Sequence, residues 1–216
     1  MDLASQSKAP FILRLLSRVI SFCFHPLFIP LYVTFFLAYV HPTAFTGFSM
    51  MQKKQAMLIV GLNVVAFPLF TVLLLKAVGF ISSLYMHTAK DRIIPYIACG
   101  IFFFWAYTVF RQQNGYPDLL TTFLLGIFLA SSAGLIANIY LKISMHALGM
   151  GGLVGFMLII FRAGSMLMAW PLALSILLTG FVCTSRLLIS DHSQKEIYSG
   201  LLAGLLTQVV AAIYIL

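Results

Sequence analysis

Long apolar runs separated by short polar segments dominate this chain of 216 residues. Most runs approach the length of about 20 residues that a helix needs to cross the hydrocarbon core of a bilayer. The pattern predicts seven spans, at 19–40, 56–76, 93–110, 119–141, 146–161, 165–184 and 197–216. The fifth is the shortest. We therefore expect an all-α, polytopic membrane helix bundle with six to seven transmembrane helices.

The first predicted span contains prolines. His25-Pro26 and Pro30 interrupt it, and we expect a kink there because proline lacks the N–H group that a helix uses for its hydrogen bonds. Residues 1–18 are polar and then basic, and no small-residue cleavage pattern follows, which predicts an uncleaved anchor. We find no repeat, linker or low-complexity segment, so residues 1–216 are expected to form a single domain.

Composition indicates the same class of protein. The chain is 62% hydrophobic and 8% charged, whereas a soluble domain has roughly 25% charged residues. The formal net charge is +8, but the 13 Lys and Arg are scattered and form no stripe with interleaved aromatic residues. We therefore expect no nucleic acid partner. The lipid bilayer and anionic lipid head groups are the expected partners, and the oligomeric state stays open.

Ionisable residues gather on one predicted face. Seven crossings place the loops 77–92, 142–146 and 185–196 on the face that carries the N-terminus. Ionisable groups cost about 2.5 to 3.5 kcal/mol each at the bilayer centre, so they belong at interfaces or in wet cavities. Their crowding indicates a single polar site, and the alternative is chance distribution over short loops. Four of the five histidines fall on this face: His25, His87, His146 and His192.

The segment 185–204 carries the clearest chemical pattern. His192 and Glu196 are four residues apart, so in a helix that begins near Ser193 the carboxylate can lie beneath the imidazole and orient it. Arg186 lies a short distance upstream. A histidine held by a carboxylate and facing a guanidinium suits phosphoryl transfer. Spacing alone leaves open that the segment is a polar loop between two membrane helices.

This segment resembles the third signature of the type 2 phosphatidic acid phosphatase family, SRxxxxxHxxxD. Ser185 and Arg186 are followed by five residues, His192, three residues and then Glu196 in place of the aspartate. Family members often continue with a small residue and two glycines, as this chain does with Ser199, Gly200 and Gly204.

The other two family signatures, PSGH and KxxxxxxRP, are present in weaker form. Ile143-Ser144-Met145-His146 resembles PSGH and keeps its Ser and His, with Ser144 as a good helix N-cap. Taken alone, His146 could instead be a hydrogen-bonded interfacial histidine. Lys90, Arg92 and Pro95 resemble KxxxxxxRP with altered spacing, and a basic cluster flanking a membrane span is the alternative for them.

The resemblance implies metal-independent hydrolysis of a lipid phosphate or diphosphate at the membrane interface. His192 would form a phosphohistidine, Glu196 would hold its ring, and His146 would protonate the leaving oxygen and then activate water. No metal or cofactor is implied. Phosphatidate, phosphatidylglycerophosphate, a polyprenyl diphosphate and a lipid A phosphate are all compatible substrates. The implied phosphate-binding residues are Arg186, Arg92, Lys90, Ser144 and Ser185.

Two alternative functions stay open. A phosphotransferase would pass the phosphoryl group from His192 to an acceptor lipid, and a catalytically degenerate relative would bind or move lipid phosphates. A small transporter would carry charges near the middle of its spans, whereas these candidates lie at span ends.

Charge counts and the resemblance give opposite predictions for the membrane side of the site. Nine of the thirteen Lys and Arg fall on the site face, which predicts a cytoplasmic site by the positive-inside rule. Arg186, Lys90 and Arg92 are implied phosphate ligands, and Lys195 lies near them in the sequence. When these four are left out, five Lys and Arg fall on the site face and four on the opposite face. Bacterial family members commonly work on the outer face of the inner membrane, so the resemblance implies a periplasmic site.

Two pairs of glycines carry a packing prediction. Gly151 with Gly155, and Gly200 with Gly204, have the spacing that lets membrane helices approach closely.

Overall fold

The computed structural model describes residues 10–81, 89–113, 115–164, 166–189 and 192–216, with the side chains of residues 89 and 90 outside that description. Within these ranges the regular secondary structure is entirely helical, and turns and loops join the helices. The helices are α1 Phe11–Cys23, α2 Ile29–Phe35, α3 Met50–Val60, α4 Phe67–Ala77, α5 Ala89–Gln112, α6 Asp118–Tyr140, α7 Met145–Ala163, α8 Ala169–Ile189 and α9 Gln194–Ile215. A π-helical segment, Phe36–Val40, extends α2, and another, Gly61–Ala66, joins α3 to α4.

Six helices in the described part of the chain are long and apolar enough to span a membrane. They are Met50–Ala77, Asp91–Gln112, Asp118–Tyr140, Met145–Ala163, Met166–Ile189 and Gln194–Ile215. The prediction of an all-α polytopic membrane bundle with six to seven spans is therefore confirmed. The short fifth predicted span is present as α7, whose 19 residues are enough to cross.

The prediction of one kinked span over 19–40 is wrong. The chain breaks between Cys23 and Ile29 into two helices, and the second, Ile29–Val40, is shorter than a membrane span requires. Pro26 cannot donate to the helix ladder, and the N–H of Leu27 turns to the Nδ1 atom of His25 at 3.4 Å. Pro26 therefore follows the end of α1 and Pro30 lies in the first turn of α2, so the two prolines separate two helices instead of bending one.

Helices α6 and α7 form the centre of the bundle, and α9 packs against both. In the apolar stretches of α6 and α7, 56% of the residues are buried, against 22% for Met50–Ala77. Phe123 of α6 and Phe156 of α7 are fully buried, and their ring centroids lie 4.9 Å apart. The bundle is thus built around a closely packed core, while its outer helices present apolar side chains outward, as a lipid environment permits.

Glycines allow α7 and α9 to touch through their backbones. A methyl group on Gly204 would overlap the carbonyl oxygen of Leu148, and one on Gly151 would overlap that of Leu201. Gly155 and Gly200 face the opposing helix in the same way, with main-chain oxygens 2.9 Å from where a Cβ atom would be. The predicted close packing through these four glycines is confirmed, and it brings the starts of α7 and α9 together.

Candidate functional site

The starts of α5, α7 and α9 and the end of α8 meet at one end of the bundle. The backbone N–H of Ser144, ahead of α7, donates to the carbonyl oxygen of Glu196 in α9 over 3.2 Å. The guanidinium of Arg92 in α5 donates to the carbonyl oxygen of Ile143 over 3.3 Å. Arg186, near the end of α8, lies close enough to His146 and His192 for its charge to act on both.

His192 and Glu196 form the contact that their spacing predicts. The Nδ1 atom of His192 lies 3.1 Å from Oε2 of Glu196. Since a carboxylate at neutral pH only accepts hydrogen bonds, Nδ1 carries the ring hydrogen and Nε2 keeps its lone pair. The arrangement therefore presents a nucleophilic nitrogen on the side of the ring away from Glu196.

Helix capping fixes the carboxylate of Glu196. The hydroxyl of Ser193 accepts from the backbone N–H of Glu196 over 3.3 Å, and Oε2 of Glu196 accepts from the backbone N–H of Ser193 over 2.9 Å. This capping box begins α9. The same carboxylate oxygen thus caps the helix and holds His192, so the tip of the Glu196 side chain is fixed in place.

Burial keeps His192 in its neutral form. Only 6% of its side-chain surface is exposed. Burial lowers the pKa of His192 from its ordinary 6.5, and the nearby charges of Arg92 and Arg186 lower it further, against the opposing effect of the Glu196 hydrogen bond. The imidazole is therefore unprotonated at neutral pH, as a nucleophile must be.

His146 lies at the beginning of α7 and is held by the N-terminal part of the chain. Its Nε2 atom lies 3.1 Å from the carbonyl oxygen of Ser21 in α1. A carbonyl only accepts, so Nε2 carries the hydrogen and Nδ1 is the nitrogen that can exchange a proton. The ring of His25 packs against His146 at right angles, with centroids 5.2 Å apart.

The predicted phosphate-binding residues occupy different positions at this end of the bundle. Arg92 is 6% exposed, and Ser144 and Ser185 are 0% and 3% exposed, so the structure places all three below the surface. The Ser144 hydroxyl accepts from the backbone N–H of Ala147 over 3.4 Å and caps α7. Lys90 falls within α5, but its side chain lies outside the described part of the structure.

An apolar groove begins close to this polar end. It has a volume of about 610 Å³ and is lined mainly by α5 and α6, with side chains that include Tyr96, Trp105 and Phe128. Tyr96 lies one turn after Arg92 and therefore on the same side of α5. From Tyr96 to Trp105 the helix rises by about 14 Å, roughly half the thickness of a bilayer core.

Three features of this site were not predicted from the sequence. The Ser193-Gln194-Lys195-Glu196 pattern is a capping box that could have been read from the sequence. The sequence predicts only a kink at His25-Pro26, whereas the structure places the His25 ring 5.2 Å from that of His146. The carbonyl group of Ser21 could not have been foreseen, because every residue carries one and only the fold selects it.

No model of a protein family, no curated protein and no solved structure matches this chain. The fold itself defines the class, an all-α polytopic membrane protein. Within the described residues, no group of three or more His, Cys, Asp or Glu side chains is arranged to hold a metal ion. The side chains that the structure brings together at this end of the bundle include histidines, arginines and the carboxylate of Glu196.

Proposed function

We propose that the protein hydrolyses a lipid phosphate or diphosphate through a phosphohistidine intermediate at the membrane interface. The observation that carries the proposal is the His192–Glu196 contact of 3.1 Å, with Arg186 and His146 beside it. A neutral imidazole oriented by a carboxylate is a nucleophile, and a nearby guanidinium can neutralise the phosphoryl oxygens.

In the first step, the Nε2 lone pair of His192 attacks phosphorus, and the bond from phosphorus to the leaving oxygen breaks. His146 takes up a proton together with the anionic phosphoryl group and gives it from Nδ1 to that oxygen, since its Nε2–H is held by the Ser21 carbonyl. Arg186 and Arg92 stabilise the charge on the phosphoryl oxygens, which is the main requirement of phosphoryl-transfer catalysis.

In the second step, Nδ1 of the neutral His146 accepts a proton from water while the water oxygen attacks phosphorus. The P–N bond breaks, phosphate leaves, and the electron pair returns to Nε2 of His192. Glu196 keeps the hydrogen of His192 on Nδ1 throughout. His146 ends the cycle protonated, as it was once the substrate had bound, so the two steps balance without a metal or cofactor.

The surroundings of the site favour a substrate with an apolar tail. The groove beginning at Tyr96 lies one helical turn from Arg92, which is a suitable position for a lipid chain whose head is held at the site. Phosphatidate, phosphatidylglycerophosphate, a polyprenyl diphosphate and a lipid A phosphate all fit this description. We further propose that the site faces the periplasm, on the outer surface of a bacterial inner membrane.

Phosphate release from these lipids by the purified protein in detergent tests the proposal. We expect His192→Ala to abolish release while thermal unfolding stays cooperative. His41→Ala is the matched control, because His41 lies after α2, outside the cluster that contains His192, and should leave turnover unchanged. Unchanged turnover in His192→Ala would remove the catalytic role of this histidine, and turnover only with an added acceptor lipid would indicate a phosphotransferase instead.

The membrane side can be tested separately in intact cells. Cysteine substitutions between residues 77 and 89, the segment that joins α4 to α5, should react with a membrane-impermeant maleimide if the site is periplasmic. Protection of these cysteines until the cells are opened would place the site in the cytoplasm. Native Cys23, Cys99 and Cys183 are replaced by Ser beforehand.

A further inference from the structure

The turn between α1 and α2 also reaches the candidate site. His25 lies in this turn, with its ring centroid 5.2 Å from that of His146 and the two ring planes at 86°. Arg186 is also close enough for its charge to act on His25. The turn is therefore adjacent to His146 and Arg186, two of the side chains on which the proposed chemistry depends.

The turn itself fixes which nitrogen of His25 can donate. The backbone N–H of Leu27 donates to Nδ1 of His25 over 3.4 Å. Because Nδ1 uses its lone pair in this contact, the neutral ring carries its hydrogen on Nε2. His25 thus has one N–H group left to offer, at the part of its ring remote from the backbone.

Burial keeps this donor uncharged. The pKa of His25 is lowered from its ordinary 6.5 by burial and then by the positive charge of Arg186. A neutral N–H beside a guanidinium adds a hydrogen bond to a bound anion without adding repulsion between two cations. Such a donor suits a phosphoryl group, because its several oxygens each accept hydrogen bonds and its negative charge attracts Arg186.

We propose that His25 is a substrate-binding residue, which donates from Nε2–H to a phosphoryl oxygen beside Arg186 and His146. This inference rests on the proposed function, because it names a further contact of the same site. The alternative is that His25 only packs the turn against His146. The two roles require different properties of the side chain: binding needs a hydrogen-bond donor, whereas packing needs a ring of similar shape.

The chain contains a matched control for this comparison. His41 also follows a helix, and its Nδ1 atom accepts from the backbone N–H of Ala44 over 3.0 Å. Its ring also packs edge to face on an aromatic partner, Phe36, with centroids 5.9 Å apart. His41 therefore has the local structure of His25 without Arg186 and His146 nearby.

The test compares His25→Phe, His25→Gln and His41→Phe in the full-length protein in detergent. Phe keeps the ring and loses the donor, whereas Gln keeps a donor and loses the ring. We expect His25→Phe to lower kcat/KM for a lipid phosphate by about 10- to 100-fold, mainly through KM, and to weaken inhibition by orthovanadate to a similar extent. His25→Gln should recover most of the loss, and His41→Phe should stay within about threefold of the unmodified protein.

Several outcomes would overturn the assignment. His25→Phe within about threefold of the unmodified protein would do so, as would His25→Gln no better than His25→Phe with an unchanged melting temperature. If His25→Phe fails to fold, His25→Ala replaces it, and added imidazole should restore turnover. Failure of imidazole to restore turnover in a folded His25→Ala would also count against the donor.

A second measurement separates this inference from the proposed function. If the unmodified protein releases no phosphate, the hydrolase proposal fails, and binding is followed instead as protection of the histidines from diethyl pyrocarbonate by orthovanadate. Protection that is lost in His25→Phe and retained in His41→Phe would support His25 as an anion-binding residue. Equal protection in both variants, or none in the unmodified protein, would overturn it.

Discussion

The backbone nitrogen of Ser144 donates a hydrogen bond to the carbonyl oxygen of Glu196 over 3.2 Å. This bond joins the start of α7 to the start of α9, and with them His146 to His192. Below it the two helices touch backbone to backbone at Gly151 and Gly204. The distance between the two candidate catalytic histidines is therefore set by main-chain contacts.

A side chain at this contact should separate the two histidines. We expect Gly204→Val to lower the melting temperature in detergent and to abolish phosphate release, because even its Cβ atom would overlap the carbonyl oxygen of Leu148. Overpacking of this kind costs about 1 to 3 kcal/mol or more.

Gly180→Ala is the control for this substitution. Nothing lies within 4 Å of where its Cβ atom would be, and alanine is favoured over glycine in a helix by about 1 kcal/mol. The melting temperature of Gly180→Ala should equal or exceed that of the unmodified protein. Equal stability of Gly204→Val and the unmodified protein would contradict the close approach of α7 and α9.

The pH dependence of turnover should reflect His192. Since the pKa of His192 is lowered below 6.5, mainly by burial, the neutral form persists to pH values below 6.5. Activity assigned to this group should fall only as the pH drops through that lowered value. Initial rates measured across the acid range would locate this fall, the acid limb of the pH–rate profile. An acid limb assigned to His192 that lies above pH 6.5 would contradict the buried, neutral imidazole.

Glu196→Gln should affect this profile in a defined direction. The carboxylate raises the pKa of His192 through its hydrogen bond and charge, so its removal should move the acid limb to still lower pH. It should also reduce kcat by about 100-fold, because the ring loses its fixed tautomer. A limb that moves to higher pH would show that Glu196 does not act on His192 in this way.

Arg186 should be essential for turnover. It lies close to His25, His146 and His192, and we expect Arg186→Gln to lower kcat/KM by about 100- to 1,000-fold through lost stabilisation of phosphoryl charge. The control is Arg111→Gln, whose side chain is 51% exposed and pairs with Asp118 at 3.5 Å. Similar losses in both variants would indicate a general effect of charge instead of a local one.

The groove should determine how the length of the apolar tail affects turnover. Gly100 lines it, and a Cβ atom there would already lie 3.3 Å from the Ser131 hydroxyl. We expect Gly100→Leu to reduce kcat/KM for long-chain lipid phosphates by about tenfold and to leave a short-chain, water-soluble phosphate ester unaffected. Equal losses for both substrates would argue that the groove does not hold the tail.

Hydropathy was sufficient to predict the fold class, because a helix that crosses a bilayer must be apolar over its whole length. The spacing of His192 and Glu196 predicted their contact for a similar reason, since Glu196 lies in the first turn of α9 and His192 directly precedes its N-cap. Gly151 and Gly204 also carried a local signal, and their predicted packing was correct.

Contacts between distant segments could not be predicted from such patterns. The break at His25-Pro26 was expected to bend a helix, because a proline alone does not reveal whether the chain continues in the same direction. The bond from His146 to the Ser21 carbonyl depends on how α1 packs, and no residue type marks it. The catalytic and phosphate-binding roles of all the site residues remain predictions: His192, His146, Glu196, Arg186, Arg92, Lys90, Ser144 and Ser185.

The difference between the central and peripheral helices has a consequence for how the protein adapts to its membrane. Met50–Ala77 has 28 residues, which is about 42 Å of helix for a hydrocarbon core of about 30 Å. A helix of that length can tilt as bilayer thickness changes, at a modest cost in energy. Thickness changes would then be absorbed at the edge of the bundle, so the spacing of the histidines would be the same in thin and thick membranes.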